Sequence, residues 1–410
     1  MSRIFIALSG GVDSTISASI LLRNHHEAVG IFLRHSYQPV LSYEESFSFL
    51  NSCKEKIDIH FVRLLPNGSF LDLSVRDGES FFREFSFSLP RDARDALEIA
   101  VHLNIPFYLY DAGDSFQSIV DRFITEYYEG KTPNPCTWCN RTLKFGKLFD
   151  LSRFLGADLF ATGHYAKCSI QSDWLANQMD GSVPDWLASL PEDYPLIEMG
   201  DSAKDQSYVL FGLRKEILSR LCFPLGSLAK DDVRAQAESL HFFNANKRDS
   251  QEICFVEDGK HTDFLQRHGN HSSTQGNFVS LDGKIMGEHR GYERYTIGQR
   301  KGLGIGFGER IFVQKIDPVK KEVVLGPYSE LARKEILAKD SNWHLEIPRN
   351  QEFRCEIKIR YRNRSTPATV RVNDSGEIFA VPDTPCFGVA SGQALVCYWG
   401  SRLLGGGWIL

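Results

Sequence analysis

The sequence predicts an α/β protein: a doubly wound parallel sheet at the N-terminal end, a small mixed α+β region after it, and a C-terminal β-barrel. Three observations predict this. Ile4-Phe5-Ile6-Ala7-Leu8 is an unbroken apolar run, the pattern of a parallel strand buried on both faces. Strand-like and helix-like stretches then alternate as far as Ala161, as βαβ units do. From Arg333 to Leu410 the chain is short strands separated by turns, which suggests a small barrel.

Behind the first strand, Ile16, Ile20 and Leu21 recur at helical spacing. Ala28–Leu33 is the second strand. Asp92–Leu103 is a helix with Ala93, Ala96, Leu97, Ala100 and Val101 on one face. The strand Phe107–Tyr110, the helix Ser115–Tyr128 and the strand Asp158–Ala161 complete the alternation. Ser36–Arg91, rich in Phe and Ser, does not fit it. Neither does Cys168–Met199, which sets Trp174 and Trp186 among polar and proline spacers. Both are read as peripheral insertions. From about Phe223 the texture changes: Ala229–Leu240 reads as a helix, and short strands alternate with glycine after Gly276. Turns are expected at Asn373-Asp374-Ser375-Gly376 and Pro382-Asp383-Thr384-Pro385. The implied domains are 1–213, 214–332, carrying Cys254, and 333–410.

A chain of 410 residues is too long for one core. No apolar run approaches membrane-spanning length, so no membrane partner is expected. A strand starting at Ile4 leaves no place for a signal peptide, and a cytoplasmic location is expected. Nine cysteines is an odd number, which favours reduced thiols, metal binding or catalysis over a disulfide framework. At a net charge of −5, a nucleic acid would have to be met by local basic patches.

Ser9-Gly10-Gly11-Val12-Asp13-Ser14-Thr15 occupies the turn from the first strand into the first helix. Glycines there let backbone N–H groups approach an anion, and the helix N-terminus favours phosphate. The lysine of a Walker loop is missing. The competing reading is an ordinary glycine turn. Ser-Gly-Gly-x-Asp-Ser resembles the PP-loop of ATP pyrophosphatases, which makes the expected sheet PP-loop or HUP-like. That resemblance implies ATP cleaved between its α and β phosphates, with AMP left on a substrate oxygen. It also implies Asp13 helping to hold Mg²⁺, and Ser9 and Ser14 contacting pyrophosphate.

Thr132-Pro133-Asn134-Pro135-Cys136-Thr137-Trp138-Cys139-Asn140-Arg141 is the second constellation. Two prolines stiffen a segment that presents two thiols at C-x-x-C spacing. Lys144 and Lys147 follow on an expected helix, and a helix N-terminus with nearby cations favours thiolate. Half of a zinc site, a redox pair and simple burial compete; no second C-x-x-C pair is present. Cys254 follows Asp249-Ser250-Gln251-Glu252-Ile253 and alone reads as a small buried residue.

Taken in order, these motifs resemble the tRNA-specific 2-thiouridylases, the MnmA family. The likeness continues through Ala161–Ala166, Lys204–Tyr208, Phe223–Gly226, Gly287–His289, Thr296–Gly306 and Gly405–Gly407. It implies replacement of the 2-oxygen of a tRNA wobble uridine by sulfur, after adenylation of that oxygen by ATP. It implies Cys139 as nucleophile and Cys254 as carrier of a persulfide, the two also able to form a disulfide. Ala7, Leu8, Ser9, Gly10, Gly11, Val12, Asp13, Ser14, Leu33 and Gly163 fall at ATP-contacting positions. Asn134, Pro135 and Cys136 fall where a flipped base is met; Lys204, Asp205, Gln206, Arg360 and Tyr361 match tRNA contacts. A sulfur-donor relay protein or a cysteine desulfurase is the implied partner. Where well-known members carry aspartate, this chain has Cys136. A third thiol would allow Cys136, Cys139 and Cys254 to ligate a [4Fe-4S] cluster binding sulfide, and this stays open beside the persulfide route.

The residues also carry an RNA signal of their own. Read as one strand, Arg354–Arg364 puts Arg354, Lys358, Arg360, Arg362 and Arg364 on one face with Glu356. Arg290, Arg294, Arg300 and Lys301, interleaved with Tyr292 and Tyr295, form a second basic region where bases would stack. The rival readings are another PP-loop enzyme serving an amine nucleophile, a non-catalytic tRNA-binding protein and a zinc-stabilised RNA-binding module.

Overall fold

The structure is a computed structural model that describes all residues except 66, 76–87, 179–182, 202, 248–252, 257–260, 270–273 and 305–309. Of the sequence motifs, Asp249–Glu252 and the Ile305-Gly306 end of the Thr296–Gly306 run lie outside the described residues. The chain packs as two units, 1–117 with 139–255 and 118–138 with 256–410.

The first unit is built on the expected sheet. Its strands are β1 (Arg3–Ala7), β2 (Glu27–Arg34), β3 (Ile59–Leu64), β4 (Phe70–Ser74), β5 (Phe107–Asp111), β6 (Leu159–Ala161), the hairpin pair β7 (Ala166–Ile170) and β8 (Pro195–Met199), and β9 (Leu221–Cys222). Seven form one sheet in the order β4-β3-β5-β2-β1-β6-β9, parallel except for β4. Neighbours β2 and β6 flank β1, so the chain winds outward in both directions from β1. That makes the loop after β1 the topological switch point, where ligands of open α/β sheets bind. Helix α1 (Val12–Arg23) follows that loop directly.

The described part of residues 36–91 is not a peripheral insertion. It supplies helix α2 (Tyr43–Cys53), capped by a reciprocal Ser42–Glu45 box, and then β3, which pairs in parallel with β5 from Ile59↔Phe107 onward. Leu50, Cys53, Ile57, Ile59 and Phe61 enter the same core as Ile4, Ile6, Ala93, Ala96 and Leu97. Each of the leucine, isoleucine and phenylalanine side chains among them contributes about 1.5–3 kcal/mol by leaving water. The alternating run Ile59-His60-Phe61-Val62 was too short, and too far from the preceding strand, to stand out as a sheet strand.

Residues 214–255, expected in a central domain, pack in this first unit. Val233 and Ala237 of the helix Lys230–Ser239, with Leu225, Phe242 and Ala245, share one cluster with Val12 and Ile16 of α1 and with Tyr165.

Among the described residues the second unit holds three β structures. β10 (Gly276–Ser280), β11 (Ile285–His289), β12 (Phe312–Asp317) and β13 (Glu322–Gly326) form a sheet in the order β11-β10-β13-β12. β14 (Ala332–Arg333) and β19 (Cys386–Phe387) form a short pair. β15 (Ile336–Trp343), β16 (Glu352–Lys358), β17 (Thr366–Val372), β18 (Ile378–Pro382), β20 (Ala394–Trp399) and β21 (Arg402–Ile409) run β15-β18-β17-β16-β20-β21, and β21 pairs back onto β15. The result is the closed antiparallel barrel expected from Arg333 onward, without free edges.

The basic strand is shorter than expected. β16 ends at Lys358, and Arg360–Arg364 turn away from the ladder. Alternation holds only through β16, where Phe353, Cys355 and Ile357 are buried. Tyr292 and Tyr295 are each 6% exposed in the core beside β10 and β12, so neither ring offers a face for stacking.

Candidate active site

Each loop of interest leaves the carboxyl edge of the first unit's sheet. Ser9–Gly11 follow β1, Leu33 lies at the end of β2, and Gly163 follows β6. Gly10 has φ +75°, and a Cβ on it would lie 2.6 Å from the Asp92 carbonyl oxygen; no other residue fits that turn. Gly163 lets β6 close on the loop, since its Cβ would lie 3.0 Å from the Ser14 nitrogen. Gly11 differs. It caps α1 with an ordinary φ of −92°, and the nearest atom to a Cβ there is Ser9 Oγ at 3.4 Å. The fold does not demand glycine at position 11; an approaching ligand would.

Internal hydrogen bonds hold the loop in shape. Ser14 Oγ accepts from Ser9 N at 3.1 Å and donates to Gly11 O at 3.0 Å. Asn244 Nδ2 donates to Gly10 O at 3.2 Å and to Thr15 Oγ1 at 2.9 Å. The side chain of Lys247 reaches Asp92 at 2.8 Å and Asp95 at 2.7 Å and approaches Gly10 O at 3.4 Å. Partial burial works against its charge, but the two carboxylates outweigh this and raise its pKa.

Asp13 is the centre of a short network. Its Oδ1 accepts from Tyr165 Oη at 2.8 Å and from Lys230 Nζ at 2.6 Å. The Lys230 side chain is 9% exposed and that of Asp13 32%. Gln206 brackets Tyr165 through its backbone: its Oε1 accepts from Tyr165 N at 3.0 Å, and its own N donates to Tyr165 O at 2.8 Å. Lys230 was missed in the sequence. It opens a helix whose apolar face drew attention, and nothing local distinguishes it from a solvated lysine.

Of the expected RNA-contacting trio, Lys204 is exposed. Asp205 is committed to its own turn, accepting from Gly200 N at 3.1 Å, Ser207 N at 3.0 Å and Ser207 Oγ at 3.0 Å. Arg360 donates to the carbonyls of Ile297 at 2.8 Å and Gly388 at 2.5 Å, and Tyr361 lies beside it in the turn.

Cys136 and Cys139 stand three residues apart on a one-turn helix, Pro135–Cys139, with Cys136 exposed and Cys139 half-buried. Thr137 Oγ1 donates to Asn134 O at 2.7 Å, and Pro135 is buried. From Asn140 to Leu148 the chain continues as a wider helix with i→i+5 bonds that carries Lys144 and Lys147, a form often found at functional sites. His164 is packed, 2.7 Å from Thr162 Oγ1, and burial holds its pKa well below the usual histidine value.

Cys254 is exposed, and its neighbour Phe255 is anchored at the same sheet edge. Phe255 meets Phe116 edge-on at 5.7 Å and Tyr37 at 6.2 Å; Phe116 stacks on His35, just past β2, at 3.7 Å. Among the described residues no three Cys, His, Asp or Glu side chains come together as a metal-holding group. A cluster needs its thiolates to converge on one point. Cys136 falls in the second unit and Cys139 and Cys254 in the first, so the cluster reading stands as an expectation beside the persulfide route. Mg²⁺ is a different case, because it takes one or two carboxylates plus ATP phosphates, and the partly exposed Asp13 carboxylate suits that. Among the described residues no helix is long and apolar enough to cross a membrane.

Comparison with known proteins agrees along the whole chain. The family model described as tRNA methyl transferase HUP domain matches residues 2–67 and 67–258, that of a PRC-barrel domain of the same name matches 262–327, and an aminomethyltransferase β-barrel domain matches 333–409. Proteins named tRNA-specific 2-thiouridylase MnmA are similar throughout. That of Rhodopirellula baltica is 38% identical over 100% of this chain and 96% of its own. That of Syntrophotalea carbinolica is 37% identical over 99% and 98%. That of Geobacter metallireducens is 36% identical over 99% and 96%.

Proposed function

The chain belongs to the tRNA-specific 2-thiouridylase family, and from that premise we propose that it converts a wobble uridine of tRNA into 2-thiouridine at the expense of ATP. The observation that carries the reading is a glycine turn at the sheet's switch point, with Gly11 open to a ligand and Phe255 anchoring Cys254 at the same edge.

ATP would lie with its phosphates against Ser9–Ser14, where the α1 N-terminus and backbone N–H groups favour anions. Lys230, paired with Asp13, and Lys247, paired with Asp92 and Asp95, stand beside the loop. Mg²⁺ held through Asp13 would neutralise phosphate charge. Attack of the uridine O2 on the α-phosphorus forms the O–P bond and releases pyrophosphate. The poor oxygen leaving group becomes AMP.

The persulfide on Cys254 then attacks C2 through its terminal sulfur, and AMP leaves with the C–O electron pair. Cys139 thiolate attacks Cys254 Sγ and breaks the S–S bond. The released pair stays with the sulfur on C2, giving the thiocarbonyl. Cys139 and Cys254 end as a disulfide, which a dithiol reductant must reopen and a persulfide donor protein must reload. The open exposure of Cys254 supports such reloading. Cys136 and Asn134 would meet the extruded base. Exposed Lys204, Arg362 and Arg364 support phosphate contact. A cytoplasmic setting suits the reduced thiols this chemistry needs.

The test is tRNA-dependent release of AMP and pyrophosphate, with 2-thiouridine measured in digested tRNA by mass spectrometry. AMP release without a thiolated nucleoside would overturn the sulfur chemistry in favour of another PP-loop ligase. No RNA-dependent AMP at all would leave only a binding protein.

A further inference from the structure

Trp138 lies between the two cysteines of the helix Pro135–Cys139 and is the last residue of the 118–138 stretch that packs in the second unit. Its indole stacks on Trp408 of β21, ring centroids 4.2 Å apart and planes within 9°. The Arg122 guanidinium sits 3.4 Å from the Trp138 ring centroid and 6.0 Å from that of Trp408. Arg122 is itself aimed by Glu126, whose Oε1 accepts from its Nε at 2.8 Å. Glu126 is 8% exposed, and its other carboxylate oxygen is buried without a partner.

The other end of the segment is pinned as well. Thr132 N donates to Ser391 O at 2.8 Å, and Gln393 Nε2 donates to Thr132 O at 2.8 Å. Gly392, at φ +87°, allows this approach: a Cβ there would lie 3.2 Å from the Thr132 carbonyl carbon. Pro133 and Pro135 lie between the pins and remove backbone freedom. The stretch bearing Cys136 is thus tied at both ends to the barrel, once through the 391–393 turn and once through β21. Reacting atoms tolerate little error, since a misplacement of about 1 Å can cost about a hundredfold in rate.

We propose that Trp408 and Arg122 are positioning residues for sulfur transfer: by clamping Trp138 they set where the thiols of the Cys136–Cys139 turn point. This rests on the activity proposed above for its consequence in turnover. The clamp itself is tested without it. The full-length variants are Trp408→Ala, Trp408→Phe and Arg122→Ala. The first readout is the rate of iodoacetamide alkylation at each cysteine, resolved by peptide mass spectrometry with no ATP or RNA present. In Trp408→Ala and Arg122→Ala, Cys136 and Cys139 should change rate by about threefold or more, while Cys254 stays within about twofold. In single turnover, 2-thiouridine formation should fall about ten- to a hundredfold with KM for tRNA and AMP formation nearly unchanged. Trp408→Phe, which keeps an aromatic face, should recover most of both.

Unchanged alkylation in both alanine variants would overturn the proposal, as would AMP formation falling in step with thiolation. Should Trp408→Ala fail to fold, Arg122→Ala decides, because that side chain is 44% exposed and carries little of the core. If the wild-type chain makes no 2-thiouridine, the activity reading fails and alkylation alone judges the clamp.

Discussion

Replacing Gly10 and Gly11 with alanine, one at a time, should separate what the loop needs in order to fold from what it needs in order to bind. At position 10 the backbone is left-handed, at φ +75°, which costs an L-residue about 1–2 kcal/mol. The new methyl also lies 2.6 Å from the Asp92 carbonyl oxygen, so the first turn of the helix Arg91–Leu103 must shift. A loss of about 3 kcal/mol follows, which at about 2–4 °C per kcal/mol lowers Tm by about 6–12 °C. At position 11, φ is −92° and the closest contact is 3.4 Å, so the stability change should stay within about 0.5 kcal/mol. The methyl would instead stand where a phosphate approaches the backbone. Thermal unfolding with and without ATP and Mg²⁺ measures both effects. Saturating ATP at about a hundred times its Kd should stabilise the wild type by about 2.7 kcal/mol, or about 5–10 °C. Gly11→Ala should keep the apo Tm and lose most of that increment; Gly10→Ala should lose apo stability first. A Gly11→Ala variant with a full ATP increment, or a Gly10→Ala variant with an unchanged Tm, would refute the reasoning.

Lys230→Met leaves the partly exposed Asp13 carboxylate with Tyr165 and without its cation; a stability loss of about 1–2 kcal/mol and weaker ATP binding by calorimetry are expected, and Lys230→Arg should rescue poorly because the guanidinium fork does not fit a point contact. His35 is buried against Phe116, and burial lowers its pKa from 6.5 to about 4. The unfolded chain therefore binds the proton first as pH falls, and stability is lost from pH 6.5 downward toward 4. His35→Phe should flatten that slope by about 2 kcal/mol between pH 7 and 5, read from urea midpoints; parallel profiles for the two proteins would contradict it. Cys139→Ser and Cys254→Ser should each abolish thiolation while AMP still forms, whereas Cys136→Asp should stay active in protein free of iron; activity that tracks bound iron in the wild type would reverse the persulfide reading.

Much of the site was legible because its chemistry is local. Ser9–Ser14 follows a fully apolar strand within a few residues, so strand, glycine turn and helix start could be read from adjacent positions. The prolines and C-x-x-C spacing of Thr132–Cys139 are likewise local, and a one-turn helix, Pro135–Cys139, is found there. Where the reading failed, long-range packing had decided. Ile59–Leu64 joins the parallel sheet through Phe107–Asp111, which lies 48 residues on along the chain at Ile59↔Phe107. Tyr292 and Tyr295 look like stacking platforms among arginines, yet the small second sheet needed their area for its core. Arg354–Arg364 alternates throughout, but the ladder partner β17 pairs with β16 only as far as Ile357↔Thr366, and the arginines beyond leave the strand.

The sequence by itself determined the class of fold, the glycine loop proposed to meet phosphate and the cysteines proposed to carry sulfur, since each is read from neighbouring residues and from the period of the apolar pattern. Only the tertiary structure decided what stands around them. Lys230 reaches Asp13 from 217 residues away, and Trp408 reaches Trp138 through a closed barrel. An ion pair or a ring stack is a fact of distance in space, and no spacing along the chain encodes it.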